Sequence, residues 1–410
     1  MIPILKTSPL HFQVILNKLP LYLNLKKVKL CLLLSALITL LLGCNSQSLQ
    51  TRKAVLVKPT NGFSIALAGD WDDYWGGIFS GNGRSNTLDS MQEAGKSDLI
   101  VLIGDLSYGR DELPPKEQAL RWCDAAKIAS NNTPMIFVPG DHDSHRQDGD
   151  ITTYSQCLTA IGNNTIISEP KTNGYGLYPY LYYVDVVVGN AKMRIVATSI
   201  AFQEEESEPE EAQKYFKKYK KGSKNYAWLK SVYQDAVEEN MWLIHFNHLP
   251  CIDMGKNQSF GQGCEDVLNL NIDEGVNVFF SGSSHNIWRT HLLSHSDACP
   301  TLPLTTKVDG ANPDCVLYPE TSTFEYGSGM VQAHAGAGGK VSASNRAVPC
   351  DPSSDGEAAH YLAPDACVAD DVPGFVQLTV TDKELNAEYF LSETKDYLLP
   401  YAFKFIKKSK

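Results

Sequence analysis

Five stretches of the chain share one pattern: a run of apolar residues that ends on, or next to, an acidic or imidazole side chain. They are FSIALAGD (63–70), SDLIVLIGD (97–105), TPMIFVPGD (133–141), MWLIHFNHLP (241–250) and VNVFFSGSSH (276–285). Each run is short, rich in β-branched and aromatic residues, and bounded by Gly or Pro, which predicts a buried strand. Helical patterns lie between them, at about 115–130, 151–161, 226–239 and 264–274. Strand alternating with helix predicts an α/β fold with a largely parallel sheet. Two segments break the alternation. Residues 176–200 read as a hairpin turning at Gly189-Asn190, and 375–390 as a second hairpin. The charged run 204–224 reads as a solvated loop and helix, and 296–325 as a surface excursion stapled by its cysteines. There is no internal repeat and no clean linker, so the expectation is one domain over 61–395 followed by a basic tail, 396–410.

The N-terminus follows other rules. Its first 44 residues hold Lys6, Lys18, Lys26, Lys27 and Lys29 but no acidic residue, and then the apolar run LCLLLSALITLLLGC. That is the layout of an export signal, with a small residue placed before a cysteine. An uncleaved anchor is the alternative, although the run is short for a membrane-spanning helix. The sequence Leu41-Leu42-Gly43-Cys44 resembles the lipobox of bacterial lipoproteins. The resemblance implies cleavage of 1–43, acylation of Cys44, a tether over 44–60, and a lipid-anchored protein of the bacterial cell envelope, on the periplasmic or cell-surface side.

Charge and cysteine content narrow the partners. The formal net charge is -11, and no Lys/Arg stripe crosses the main body, which argues against nucleic acid. With Cys31 and Cys44 set aside, Cys123, Cys157, Cys251, Cys264, Cys299, Cys315, Cys350 and Cys367 remain. An even number in an exported chain points to disulfides. Pairing of neighbours (123–157, 251–264, 299–315, 350–367) is the simplest arrangement, but spacing leaves the connectivity open. None of the eight forms a CxxC pair, which weakens a zinc-finger reading.

In an open α/β sheet, ligands bind beyond the carboxyl ends of the strands. Five strand ends carrying Asp and His would gather at that edge. Several carboxylates held together repel one another unless cations lie between them, and oxygen and nitrogen donors suit Zn, Fe or Mn.

The segments AGDWDD (68–73), GDLSY (104–108), PGDHD (139–143), NHLP (247–250) and GSSHN (282–286) occur in this order. The set resembles the calcineurin-like metallophosphoesterases, and within them most closely the purple acid phosphatases, including the tartrate-resistant type. The likeness spans roughly 63–340. It implies an αββα sandwich of two mixed sheets flanked by helices. It also implies two divalent or trivalent metal ions, iron together with zinc, manganese or a second iron. By this likeness Asp70, Tyr108 and His285 hold the first ion, Asp105 bridges, Asp141 and His248 hold the second, and His142 lies near the substrate oxygen. The implied activity is hydrolysis of phosphate esters, small molecules or phosphoproteins, by metal-activated hydroxide.

Two departures fall on the second site. Ser283 stands where the family pattern has a further His, and Asp141 replaces the usual Asn. A single bound ion is therefore an alternative to two. Asp72 could enrich the first site, and His245, Ser283 or His334 could supplement the second. His245, three residues before His248, would face the other way on a regular strand. Trp71, Tyr74, Trp75 and Trp288 flank the ligands and could pack a substrate ring. The rival functional reading is a catalytically degenerate lipoprotein that binds or scaffolds.

Overall fold

The computed structural model describes residues 50–56, 58–71, 86–109, 113–144, 149–158, 165–200, 208–252, 263–304, 312–318, 320–340, 361–363 and 373–408. Cys31, Cys44, Asp72, Tyr74, Trp75, Cys350, Cys367 and the expected export signal over 1–43 lie outside the described residues.

In chain order the first elements are β1 (Thr51–Lys53), β2 (Gly62–Ala68), α1 (Asn86–Ala94), β3 (Leu99–Ile103), α2 (Pro115–Ala129), β4 (Met135–Val138) and α3 (Ile151–Leu158). Next come β5 (Tyr182–Val188), β6 (Ala191–Thr198), the short α4 (Glu210–Gln213), α5 (Lys224–Glu238), β7 (Trp242–Asn247), α6 (Cys264–Asp273) and β8 (Val278–Ser281). The chain closes with β9 (Ile287–Arg289), β10 (Leu292–Leu293), β11 (Val316–Leu317), β12 (Thr323–Glu325), β13 (Val331–Ala335), β14 (Gly374–Thr381), β15 (Glu384–Leu391) and β16 (Asp396–Ile406).

Two mixed sheets result. One runs β1-β16-β15-β14-β2-β3-β4 with β12 beside β16, and the other β5-β6-β7-β8-β13-β9. The functional strands sit in the parallel parts, β2-β3-β4 and β6-β7-β8-β13. The two hairpins, β5–β6 and β14–β15, pair antiparallel as their turns require.

Strand parity sorts the core into layers. Phe63, Ile65 and Leu67 of β2, Val101 and Ile103 of β3, and Trp242, Ile244 and Phe246 of β7 share one buried cluster with Ile195 and Phe280. The intervening Ala66, Ala68, Ile100, Leu102 and Leu243 instead join the cluster that contains Met91, Trp122, Leu229 and Leu268 of the helices. Period-2 alternation thus gives each strand one face toward the other sheet and one toward helices. This is the αββα sandwich.

Several segments differ from the sequence reading. Residues 396–406 are not a tail but β16, the longest strand, paired to both β15 and β1. Its alternation of buried Tyr401, Phe403 and Phe405 with intervening polar or small residues decides this over the terminal lysines. Residues 51–53, expected within a tether, form β1 against that strand. The sequence reading lacked α1 and β13. Disulfides join Cys123–Cys157, Cys251–Cys264 and Cys299–Cys315, each a pairing of neighbours. Among the described residues no helix is long and apolar enough to cross a membrane.

Candidate metal centre

The carboxyl ends of β2, β3, β4, β7 and β8 meet because the turns that leave them are stitched together. Asp70 N–H donates to Gly104 O at 3.0 Å, Trp71 N–H to Asp105 O at 3.0 Å, and Gly282 N–H to His248 O at 2.8 Å. Gly104 has φ +76°, and a Cβ there would stand 2.6 Å from His248 Nδ1, so only glycine fits. Asp70, Asp105 and His285 also occupy the left-handed region, with φ of 56°, 52° and 52°. That conformation costs a non-glycine residue about 1 kcal/mol or more, and such strain collects where a side chain must be aimed.

The first cluster is a triangle of donor atoms. Tyr108 Oη donates to Asp70 Oδ1 and lies 3.1 Å from His285 Nε2, which is itself 3.1 Å from Asp70 Oδ1. Asp70 is fully buried, and its second oxygen accepts the Ser283 backbone N–H at 2.8 Å. Burial works to raise the Asp70 pKa, but the charge and hydrogen bond of His285 outweigh it and hold the carboxyl below its ordinary value. Burial, then the charges of Asp105 and Asp70, push the Tyr108 phenol well above its ordinary value.

The second cluster centres on His248. Its Nε2 faces Asp105 Oδ1 at 3.2 Å and Asp141 Oδ1 at 3.3 Å. Asp105 is buried, and its Oδ1 also accepts the His142 backbone N–H at 3.0 Å. Burial would raise Asp105, but His248 outweighs it and keeps the carboxyl ionised. His142 itself is partly exposed, its ring centroid 4.6 Å from that of Tyr108 and its Nε2 4.0 Å from Asp141 Oδ2.

These donors fit metal ions. His248 Nε2 is buried. Nδ1 of the same ring bonds Ile103 O at 2.6 Å, and a carbonyl can only accept, so Nδ1 carries a proton. Burial works to lower the pKa of the ring, but the Asp105 charge and then the Asp105 and Asp141 hydrogen bonds outweigh it and raise it well above its ordinary value. Nε2 therefore carries a proton between two carboxylates, and a bound cation would take the place of that proton. Asp70, Asp105 and His248 each offer an atom within 4.8 Å of the others. Donors that share one ion at about 2.0–2.2 Å lie roughly 3 Å apart, which is the spacing of His285 Nε2 from Tyr108 Oη and from Asp70 Oδ1, 3.1 Å each.

Other sequence candidates fall elsewhere. His245 points to the helix layer, where Thr198, Tyr233 and Asn271 engage its ring nitrogens, and it offers no free lone pair. His334 lies on β13. Its Nδ1 meets Ser281 Oγ at 2.9 Å, its Nε2 accepts the Ser284 N–H at 3.2 Å, and its ring stacks on Trp288. It therefore braces the turn that carries His285. Trp71 and Trp288 are fully buried, so neither presents a face to a substrate ring.

Two supporting residues escaped the sequence reading. Asp143 is buried and accepts the N–H groups of Asp105, Leu106 and Gly140 at 2.9, 2.8 and 2.8 Å. Burial, and then the Asp105 charge, push its carboxyl up to about 8 against the pull of the Gly140 and Leu106 amides. Asn247 spans the Ile200 N–H and the Ile200 and Leu249 carbonyls, which fixes the backbone on either side of His248. Their only sequence signal is adjacency, a second Asp in DHD and an Asn before the His of NHLP.

Two sheets thus pack face to face, with carboxylates, imidazoles and a phenol collected at the ends of their parallel strands. The chain belongs to the calcineurin-like phosphoesterase family, whose profile matches residues 63–286, more than half of its length. Solved structures show weaker likeness. A purple acid phosphatase from yellow lupin (Lupinus luteus) seeds is 17% identical at TM-score 0.49, and the match covers 85% of this chain and 55% of that one. PhoD is 14% identical at TM-score 0.45, covering 82% and 67% of the two chains. A dimetal phosphatase from Danio rerio is 12% identical at TM-score 0.44, covering 82% and 99%. The family assignment rests on the profile match and not on these likenesses. No curated protein matches the chain in a sequence search.

Proposed function

We propose that this protein hydrolyses phosphate esters outside the cytoplasm, with monoesters preferred, and that an acyl group on Cys44 tethers it to the bacterial envelope. The observation that carries the reading is the buried His248 Nε2, held 3.2 and 3.3 Å from carboxylate oxygens of Asp105 and Asp141. Asp70, Tyr108 and His285 would hold one ion, His248 and Asp141 the other, with Asp105 between them. Iron with zinc, manganese or a second iron suits this donor set. When bound, the ions supply charge neutralisation at phosphorus and an acidified water.

The chain's own groups do the rest. Asp70 and Asp105 keep their charge in a buried setting, so they hold their geometry without solvent reorganisation. His142 is anchored through its backbone N–H to Asp105, while its ring reaches the open side of the cluster beside Asp141. From there its Nε2 can hold a proton for the departing ester oxygen.

Ser283, in place of an imidazole, favours a second reading, a non-catalytic binding protein with one ion or none. Elemental analysis and turnover of an aryl phosphate separate the two. Metal-dependent hydrolysis that disappears in Asp105→Ala supports the enzyme, whereas full activity in that variant defeats it. The tether is tested separately: fatty-acid labelling should vanish in Cys44→Ser, and persistent labelling rules out acylation there.

A further inference from the structure

β13 runs between β8 and β9, with His334 in register with Ser281 on one side and Trp288 on the other, so the turn from β8 to β9 passes over its end. That turn carries His285 and holds two non-glycine residues in the left-handed region, Ser283 with φ 85° and His285 with φ 52°. Backbone of this kind persists only where its surroundings over-determine it. Three successive amides show what does so. Gly282 N–H donates to His248 O at 2.8 Å, Ser283 N–H to Asp70 Oδ2 at 2.8 Å, and Ser284 N–H to His334 Nε2 at 3.2 Å. Gly336 lets the chain lie this close, since a Cβ there would stand 2.8 Å from His334 Nε2, 3.0 Å from Asp70 Oδ2 and 3.2 Å from His285 N.

His248 and Asp70 belong to the candidate ligand set, whereas His334 is held apart from it. Its fully buried ring, kept neutral by burial, spends the Nε2 lone pair on the Ser284 amide. Nδ1 then carries the proton and faces Ser281 Oγ at 2.9 Å. Trp288 lies parallel to the ring, with 3° between the planes and 5.1 Å between the centroids, which fixes its orientation. A ligand already aimed by such a peg loses less freedom when an ion binds. We infer that His334 is a positioning residue for the first ion: through Ser284 it aims His285, and so sets the affinity of the Asp70–Tyr108–His285 cluster without ligating the ion. The inference rests on the metal centre proposed above and adds the residue that tunes one of its two ions. The second cluster takes its support elsewhere, from Ile103 O, which holds the His248 ring, and from the turn after β4, which carries Asp141.

The test measures the affinity of each ion by chelator competition and elemental analysis in wild type, His334→Phe and His334→Gln, with folding checked by urea denaturation. Phe keeps a ring against Trp288 but offers no acceptor, and His334→Leu serves in its place if that variant does not fold. Gln offers an amide oxygen near the position of Nε2. His334→Phe should weaken one ion about 10- to 100-fold, the usual effect of removing a hydrogen bond behind a metal ligand, and leave the other unchanged. His334→Gln should recover most of the loss, which a ring that only fills space would not require. The weakened ion must be the one that depends on His285, so on a His285→Ala background His334→Phe should cost nothing further. Unchanged affinities in His334→Phe overturn the inference. So do equal weakening of both ions, a further loss on the His285→Ala background, or equal losses in His334→Gln and His334→Phe. If wild type binds metal but turns over no aryl phosphate, the proposed activity fails and the affinities still decide here. If wild type binds no metal, both fall.

Discussion

His248 is locked by Ile103: the ring Nδ1–H donates to the Ile103 carbonyl at 2.6 Å, one residue before the Gly104-Asp105 turn. The bond joins the two sheets at the site, since Ile103 ends β3 and His248 follows β7. It also fixes which nitrogen faces the carboxylates. In His248→Ala, one ion should be lost while the Asp70–Tyr108–His285 cluster keeps the other. Metal content per chain, measured before and after dialysis, checks this. Retention of all metal by His248→Ala would mean that His248 is not a ligand.

Asp141 bears on the same ion from the other side. It is more exposed than Asp105, with 21% of its side chain accessible against 4%, so its contribution is charge more than geometry. Asp141→Asn keeps the shape and removes the charge, and should weaken the second ion about tenfold. Ser283→His should act in the opposite sense by restoring an imidazole, because His tolerates the φ of 85° found there better than most side chains. Metal titration by calorimetry reads both. A tighter second site in Asp141→Asn would reverse the assignment.

Asp143 is a bracket rather than a ligand. One carboxyl group satisfies three buried amides from the turns after β3 and β4. Asp143→Ala strands them all and should cost about 3–5 kcal/mol. Asp143→Asn, which retains one good acceptor, should cost less. Urea denaturation measures the difference. Because the two turns carry Asp105 and Asp141, metal content should fall in Asp143→Ala even where the protein stays folded. A stable, fully metallated Asp143→Ala would show that the bracket is dispensable.

The sequence disclosed the strand ends because two simple signals coincide there. Apolar runs with parity two mark a buried strand, and Gly-Asp marks where it must turn. Parity also put His245 on the face away from the ligands. Other features are tertiary in origin. The run VQAHA is too short to separate strand from loop, so β13 is not legible in the sequence. At the C-terminus the lysines in KFIKKSK masked the alternation of Tyr401, Phe403 and Phe405. Asp143 carries no local signature. It matters only because distant turns are brought to it.

His245 supplies a pH dependence unrelated to catalysis. It is fully buried, and burial drives its pKa down to about 3, with Asn271 only partly opposing. In the unfolded chain a histidine titrates near 6.5. Between these values the unfolded state binds a proton that the folded state refuses, so stability rises with pH across this window. The contribution is intact above about pH 6.5 and declines as pH falls toward 3, with a limiting slope of about 1.4 kcal/mol per pH unit. His245→Gln can still bond Thr198 and Tyr233 but cannot titrate. It should be less stable than wild type at pH 7.5 through poorer packing, yet lose stability more slowly on acidification. Urea midpoints at pH 7.5, 6.5, 5.5 and 4.5 should therefore converge. Parallel curves would mean that His245 accepts its proton inside the fold, and the buried Tyr233–His245–Thr198 arrangement would then have to open to admit it.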